Sequence, residues 1–106
     1  MTNRNTAIVT GSATGVGAAT ALALAQRGYN LVINYSKSEQ EARESEAACI
    51  AAGADTLLFQ ANVAIDEQCR AMAQAAMQRW QRLDALVNNA GVTMFSGASQ
   101  DRKSVV

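Results

Sequence analysis

The sequence predicts an α/β fold: an open parallel sheet wound with helices on both faces, in the order βαβαβαβ. Three observations predict it. Short apolar runs alternate with longer stretches of helix-forming residues along the chain. The runs are apolar at successive positions rather than at alternate ones, which means burial on both faces and hence parallel pairing under helices. A glycine-rich turn follows the first run, where such folds bend from strand to helix.

Each element has its own warrant. Thr6–Thr10 is β-branched and apolar, and Gly11 stops it, so it reads as a buried strand. Val16 to Arg27 is mostly Ala and Leu, good helix formers, with Gly28 placed to end the helix. Asn30–Tyr35, with core Leu31, Val32 and Ile33, is the second strand. Ser38 and Glu41 spell a capping box opening a helix to about Ala52, closed by Gly53. Thr56–Ala61 is the third strand. Asp66 is placed to cap a helix to about Arg82, on which Met72, Ala76 and Trp80, with Leu83 beyond, make an apolar stripe. Ala85–Val87 is the fourth strand. Right-handed crossovers give the sheet order 3-2-1-4.

Residues 1–93 therefore read as one unit and residues 94–106, which show no period, as an irregular tail. Strand four then stands at an open edge, a template for association, so self-association of the chain is expected.

Composition narrows the function. The chain has nine Lys/Arg against nine Asp/Glu, and 49% of its residues are hydrophobic, a globular balance that excludes a disordered tail. No basic run is present to neutralise phosphates, which argues against a nucleic-acid partner. No apolar run is long enough to cross a membrane, and the N-terminus lacks a signal-peptide core, so the expected compartment is the cytoplasm. Cys49 and Cys69 show no metal-binding spacing and read as small apolar residues. Histidine is absent, which removes Ser-His-Asp and zinc hydrolase chemistry, and no metal site is expected.

Three segments carry chemistry. The first is the turn after strand one, where Gly11, Ser12, Thr14, Gly15, Val16 and Gly17 form a candidate phosphate cradle. Gly11 permits a sharp turn, Gly15 lets a pyrophosphate approach the backbone, and Gly17 lets the helix pack closely. The helix N-terminus adds free N–H groups, and Ser12 and Thr14 add hydroxyls. A glycine-rich turn with no ligand has the same composition. The second segment is the end of strand two, Asn34, Tyr35, Ser36, Lys37 and Ser38, of which Tyr35 to Ser38 are the candidate binding residues. About 20 residues past the glycines, such sites read the adenosine ribose, and an acidic residue there favours NAD. Here hydroxyls and a cation stand instead, which suits a 2′-phosphate and favours NADP over NAD; the alternative is a solvated lysine before a helix. The third is Asn88, Asn89, Ala90 and Gly91 at the end of strand four. Strands one and four meet where the strand order reverses, and two side-chain amides there can tie their turns together. An ordinary Asx turn is the alternative.

Together these segments resemble the short-chain dehydrogenase/reductase family, especially its 3-oxoacyl-carrier-protein-reductase-like members. Thr10, Gly11, Gly15 and Gly17 carry the T-G-x-x-x-G-x-G pattern, and Asn88, Asn89, Ala90 and Gly91 carry N-N-A-G. The resemblance covers about residues 5 to 93. It implies a partial Rossmann sheet that binds a dinucleotide, with Asn62 and Val63 lining the adenine; Asp is usual at position 62, and Asn keeps a carbonyl acceptor there. It also implies catalysis by a Ser and a Tyr-x-x-x-Lys pair, helped by an Asn on the helix after strand four. The chain ends before any of them. Its tyrosines are Tyr29 and Tyr35, and Glu39 stands where Lys would follow Tyr35. No catalytic residue is therefore assigned. The implied function is the N-terminal NADP(H)-binding part of a reductase that moves hydride between cofactor and a carbonyl or alcohol, truncated before its catalytic residues. A small carbonyl substrate belongs only to a full-length parent. The alternative is a non-catalytic nucleotide-binding or interaction module; a methyltransferase-like nucleotide enzyme is disfavoured by the Asn88–Gly91 match.

Overall fold

A strand buried at every position has no face to give to water, and the two central strands, Thr6–Val9 and Asn30–Tyr35, are buried throughout save for the half-buried Tyr35. The structure is a computed structural model and describes residues 4–89 together with the backbone of residues 104–105. Its elements are β1 (Thr6–Val9), α1 (Gly15–Gln26), β2 (Asn30–Tyr35), α2 (Glu39–Ala51), β3 (Thr56–Gln60), α3 (Asp66–Trp80), β4 (Ala85–Val87) and β5 (Ser104–Val105). The sheet order is β3-β2-β1-β4-β5 and every pairing is parallel. The order 3-2-1-4 read from the sequence is the observed one.

Side chains of successive residues leave a strand on opposite faces, and the core divides accordingly. Ala7, Val9, Leu31 and Ile33 face α1 and α2, where Ala21, Ala25, Ala42 and Cys49 meet them. Ile8, Val32 and Leu86 face the other way, against Met72, Ala73, Ala76 and Trp80 of α3 and Leu83 beyond it. The stripe predicted on α3 is thus buried. Fully burying one such Leu or Ile side chain stabilises by roughly 1.5–3 kcal/mol, so the two clusters hold the sheet between its layers.

The helix ends differ from the expectations in three places. Ser38 stands at the N-cap of α2 but makes no side-chain cap bond, so the Ser38–Glu41 capping box does not form. Its backbone (φ −96, ψ 64) is not in the extended conformation that aims a cap hydroxyl at the first amides. Glu39 instead pairs with Arg43 at 2.7 Å on the exposed face. Asp66 is the first helical residue of α3 rather than its cap, with Ile65 at the N-cap position. There its charge suits the helix N-terminus, and it pairs with Arg70 at 2.8 Å. Finally, α3 stops at Trp80 instead of near Arg82, because Gln81 turns into the left-handed region (φ 59). Arg82 then grips Asp84 (2.8 Å) and Asn5 (2.7 Å). The carboxylate of Asp84 in turn accepts the amide of Thr6 at 2.7 Å, which closes the N-terminal end of the sheet.

β4 is not a bare edge. Ala85 and Leu86 pair with Ser104 and Val105, so a short parallel strand lies in the stretch expected to be irregular and covers most of the edge on which the expected self-association rested. The rest of 94–106 lies outside the described residues. Among the described residues no helix is long and apolar enough to cross a membrane.

Candidate functional site

The carboxyl ends of β1, β2, β3 and β4 lie side by side, and each turn leaving them is tied to its neighbour. Thr10 begins the network. Its amide donates to Val87 O (2.9 Å), which prolongs the β1–β4 ladder. Its hydroxyl donates to Asn88 Oδ1 (3.1 Å) and accepts the Asn89 amide (2.9 Å), while Asn89 Nδ2 donates to Thr10 O (2.9 Å). The two asparagines therefore bind the strand-four turn to the strand-one turn. Ala90 and Gly91, expected beside them, lie outside the described residues.

The glycine loop carries two different kinds of glycine. Gly11 and Gly15 take positive φ (60° and 61°), and a Cβ added at either meets nothing within 4 Å. The space above them is open, as a pyrophosphate requires. Gly17 is the opposite case. A Cβ there would lie 2.1 Å from Gly11 O and 3.0 Å from Ser12 Cα. This glycine lets α1 pack against the loop itself, rather than against the strand. Thr14 is the N-cap of α1 and gives it no side-chain cap bond, so its hydroxyl leaves the first amides of the helix to another acceptor. Val16 follows in the first turn and is 74% exposed.

Ser12 departs from the expected role. It is fully buried, and its hydroxyl accepts the Asn34 amide at 2.8 Å while its own amide donates to Asn34 O at 3.0 Å. Its hydroxyl is spent on locking the loop to β2 and does not face the open side.

At the end of β2, Tyr35 is half-buried, and Ser36, Lys37 and Ser38 are exposed. The backbone carbonyl of Ser36 accepts Gln60 Nε2 at 3.1 Å, which joins this turn to the end of β3. Beyond β3, Asn62 folds into an Asx turn: its Oδ1 accepts the Ala64 amide at 2.9 Å, and its own amide donates to the Gln68 side chain. One lone pair of the carbonyl expected to read adenine is thereby used internally. Val63 is half-buried beside it, and its carbonyl accepts the Cys69 thiol at 3.3 Å. Burial pushes the thiols of Cys49 and Cys69 up, with nearby Glu46 and Asp66 adding to it, so both are held as thiols.

The sequence profile of the short chain dehydrogenase family matches residues 5–105. The chain belongs to the short-chain dehydrogenase family. The chain is similar to the 3-oxoacyl-[acyl-carrier-protein] reductase FabG of Staphylococcus aureus, 41% identical over 87 residues that make up 82% of this chain and 35% of the relative. Among solved structures it is similar to a short-chain dehydrogenase/reductase from Burkholderia xenovorans, with a TM-score of 0.82 and 43% identity, over 88% of this chain and 38% of that one. It also resembles an acetoin dehydrogenase from Enterobacter cloacae, with a TM-score of 0.77 and 33% identity, over 88% of this chain and 37% of that one. The chain thus spans a little over one third of the length of these relatives. The family match also runs past residue 93, where the sequence resemblance was expected to stop.

Asn34 opens the second segment singled out in the sequence, where it carried no role of its own. Asn34 is 2% exposed, and its carboxamide bridges the glycine loop and the chain leaving β3. The signal was present: an amide side chain inside Leu31-Val32-Ile33-Asn34 is a poor strand former, and a buried amide must find partners.

Proposed function

We propose that this chain is the NADP(H)-binding part of a short-chain reductase, holding the adenosine and pyrophosphate half of the cofactor site. The observation that carries the reading is the open space over Gly11 and Gly15, at the N-terminus of a helix without a side-chain cap, beside the β1/β4 switch point. Loop and helix amides from Gly11 to Gly17 would meet the pyrophosphate. Ser36, Lys37 and Ser38, exposed at the end of β2, would meet a 2′-phosphate, Lys37 as a point charge. Asn62 and Val63 would flank the adenine, and Asn88 to Gly91 the ribose beyond the pyrophosphate. The bound dinucleotide supplies hydride chemistry; the residues of this chain bind and orient it. Similarity to 3-oxoacyl-[acyl-carrier-protein] reductases supports a carbonyl group as the hydride acceptor in the whole enzyme. Proton transfer needs a positioned acid, and neither Tyr29 nor Tyr35 has the family's Lys, so these residues alone are expected to show no turnover. The test is a calorimetric titration with NADPH and NADH. NADPH is expected to bind more tightly, and Lys37→Glu to reverse the order. Equal or tighter binding of NADH by the unmutated chain refutes the NADP preference.

A further inference from the structure

Two turns converge on the side chain of Asn34. Its Oδ1 accepts the Gly11 amide at 2.9 Å, and its Nδ2 donates to Ala61 O at 3.2 Å, with longer approaches of 3.4 Å to the carbonyls of Phe59 and Tyr35. Its backbone is held on the same side by Ser12, through the amide-to-hydroxyl bond of 2.8 Å and the return bond of 3.0 Å. Gly11 opens the phosphate loop, and Ala61 immediately precedes the Asn62 turn. One carboxamide therefore spans the gap between the pyrophosphate side of the site and its adenine side. An amide meets both needs from opposite ends of one planar group: Gly11 needs an acceptor and Ala61 needs a donor. A carboxylate offers no donor, and an aliphatic side chain offers neither.

We infer that Asn34 is a positioning residue for the dinucleotide, fixing the glycine loop relative to the turn after β3 so that both halves of an adenosine pyrophosphate are met at once. It touches no ligand itself, being almost fully buried. The inference rests on the NADP(H) reading above. It accounts for a buried amide in an otherwise apolar strand, where a branched apolar residue would form strand more readily.

The experiment compares Asn34→Ala with Asn30→Ala in the full chain. Asn30 is equally buried at the other end of the same strand, where it donates to Thr6 Oγ1 at 3.1 Å, so its loss reports a purely structural cost. Binding of NADPH and of adenosine 2′-monophosphate, which lacks the pyrophosphate, is measured by calorimetry, and amide exchange at Gly11 by NMR without ligand. Asn34→Ala is expected to weaken NADPH on the order of tenfold, the worth of one or two hydrogen bonds, and to leave the monophosphate nearly unchanged. Gly11 exchange should accelerate. Asn30→Ala should lower stability and leave both affinities in place. A folded Asn34→Ala that binds NADPH as the parent does, or that weakens both ligands equally, overturns the inference, as does unchanged protection at Gly11. Where Asn34→Ala fails to fold, Asn34→Asp, which keeps the acceptor and loses the donor, takes the same comparison. Failure of the unmutated chain to bind NADPH refutes the cofactor reading instead, and the inference with it.

Discussion

Gly17→Ala sets two physical effects against each other. Residue 17 lies inside α1, where Ala is favoured over Gly by about 1 kcal/mol, so propensity alone predicts a more stable protein. The packing says otherwise. The new Cβ would stand 2.1 Å from Gly11 O and 2.8 Å from Gly11 C, and both are backbone atoms that no rotamer change can move. To clear even 3.0 Å, the loop or the helix must shift by about 0.9 Å. Overpacking of this kind costs about 1–3 kcal/mol, and the contact lies at the severe end of that range. Displacing the loop also strains the bonds that Gly11 and Ser12 make to Asn34, each worth about 0.5–1.5 kcal/mol. The net expectation is a loss of about 2–3 kcal/mol, a large share of the ~5–15 kcal/mol typical of a domain. Trp80 is 3% exposed and serves as the fluorescence reporter in urea unfolding. With a slope of about 1–3 kcal/mol/M, the midpoint should fall by about 0.7–3 M. A midpoint equal to or above the parent's would mean that helix propensity decides and that the close approach of α1 to the loop is not as described.

Further expectations concern the loop, a helix end and one carboxylate. Gly15→Val meets open space but must adopt a φ near +61°, a strain of about 1–2 kcal/mol, while filling the pyrophosphate position; its melting temperature should fall by several degrees and NADPH titration should become flat. Gln81→Gly removes a side chain from the left-handed position that ends α3 and should raise the melting temperature by a few degrees, about 0.5–1 kcal/mol; a decrease would show that the Gln81–Gln78 bond matters more than the backbone. Burial pushes the Asp55 carboxyl up, but the hydrogen bonds from Arg79 (2.8 Å) and Trp80 Nε1 (2.7 Å), with the Arg79 charge and the Thr56 backbone, together outweigh it and hold it below its usual value. A depressed folded value means the stabilisation is fully present above the unfolded pKa of about 3.9 and is lost as pH falls through the folded one. Urea midpoints between neutral and strongly acidic pH should therefore fall less steeply for Asp55→Asn than for the parent, and identical slopes would refute the role of this carboxylate.

Much of this protein is written in short-range patterns. Continuous apolar strands, Ala- and Leu-rich helices and a glycine turn between the first two elements are local properties. With the handedness of crossovers they lead to the strand order, because few topologies bury both faces of such strands. The two-motif resemblance located the glycine-rich turn and the Asn88–Asn89 turn for the same reason. Direction and partnership were not legible in this way. Nothing local shows that Ser12 turns inward to Asn34, that the Ser38 capping box stays unformed, or that Gln81 ends α3 two residues early. Each outcome depends on which backbone groups arrive nearby from another strand, and a hydroxyl or amide takes the partner at shortest reach. Gly17 makes the distinction plainest. The sequence by itself says that a glycine here lets the helix pack closely, and only the packed structure decides that the carbonyl of Gly11 lies where its Cβ would be.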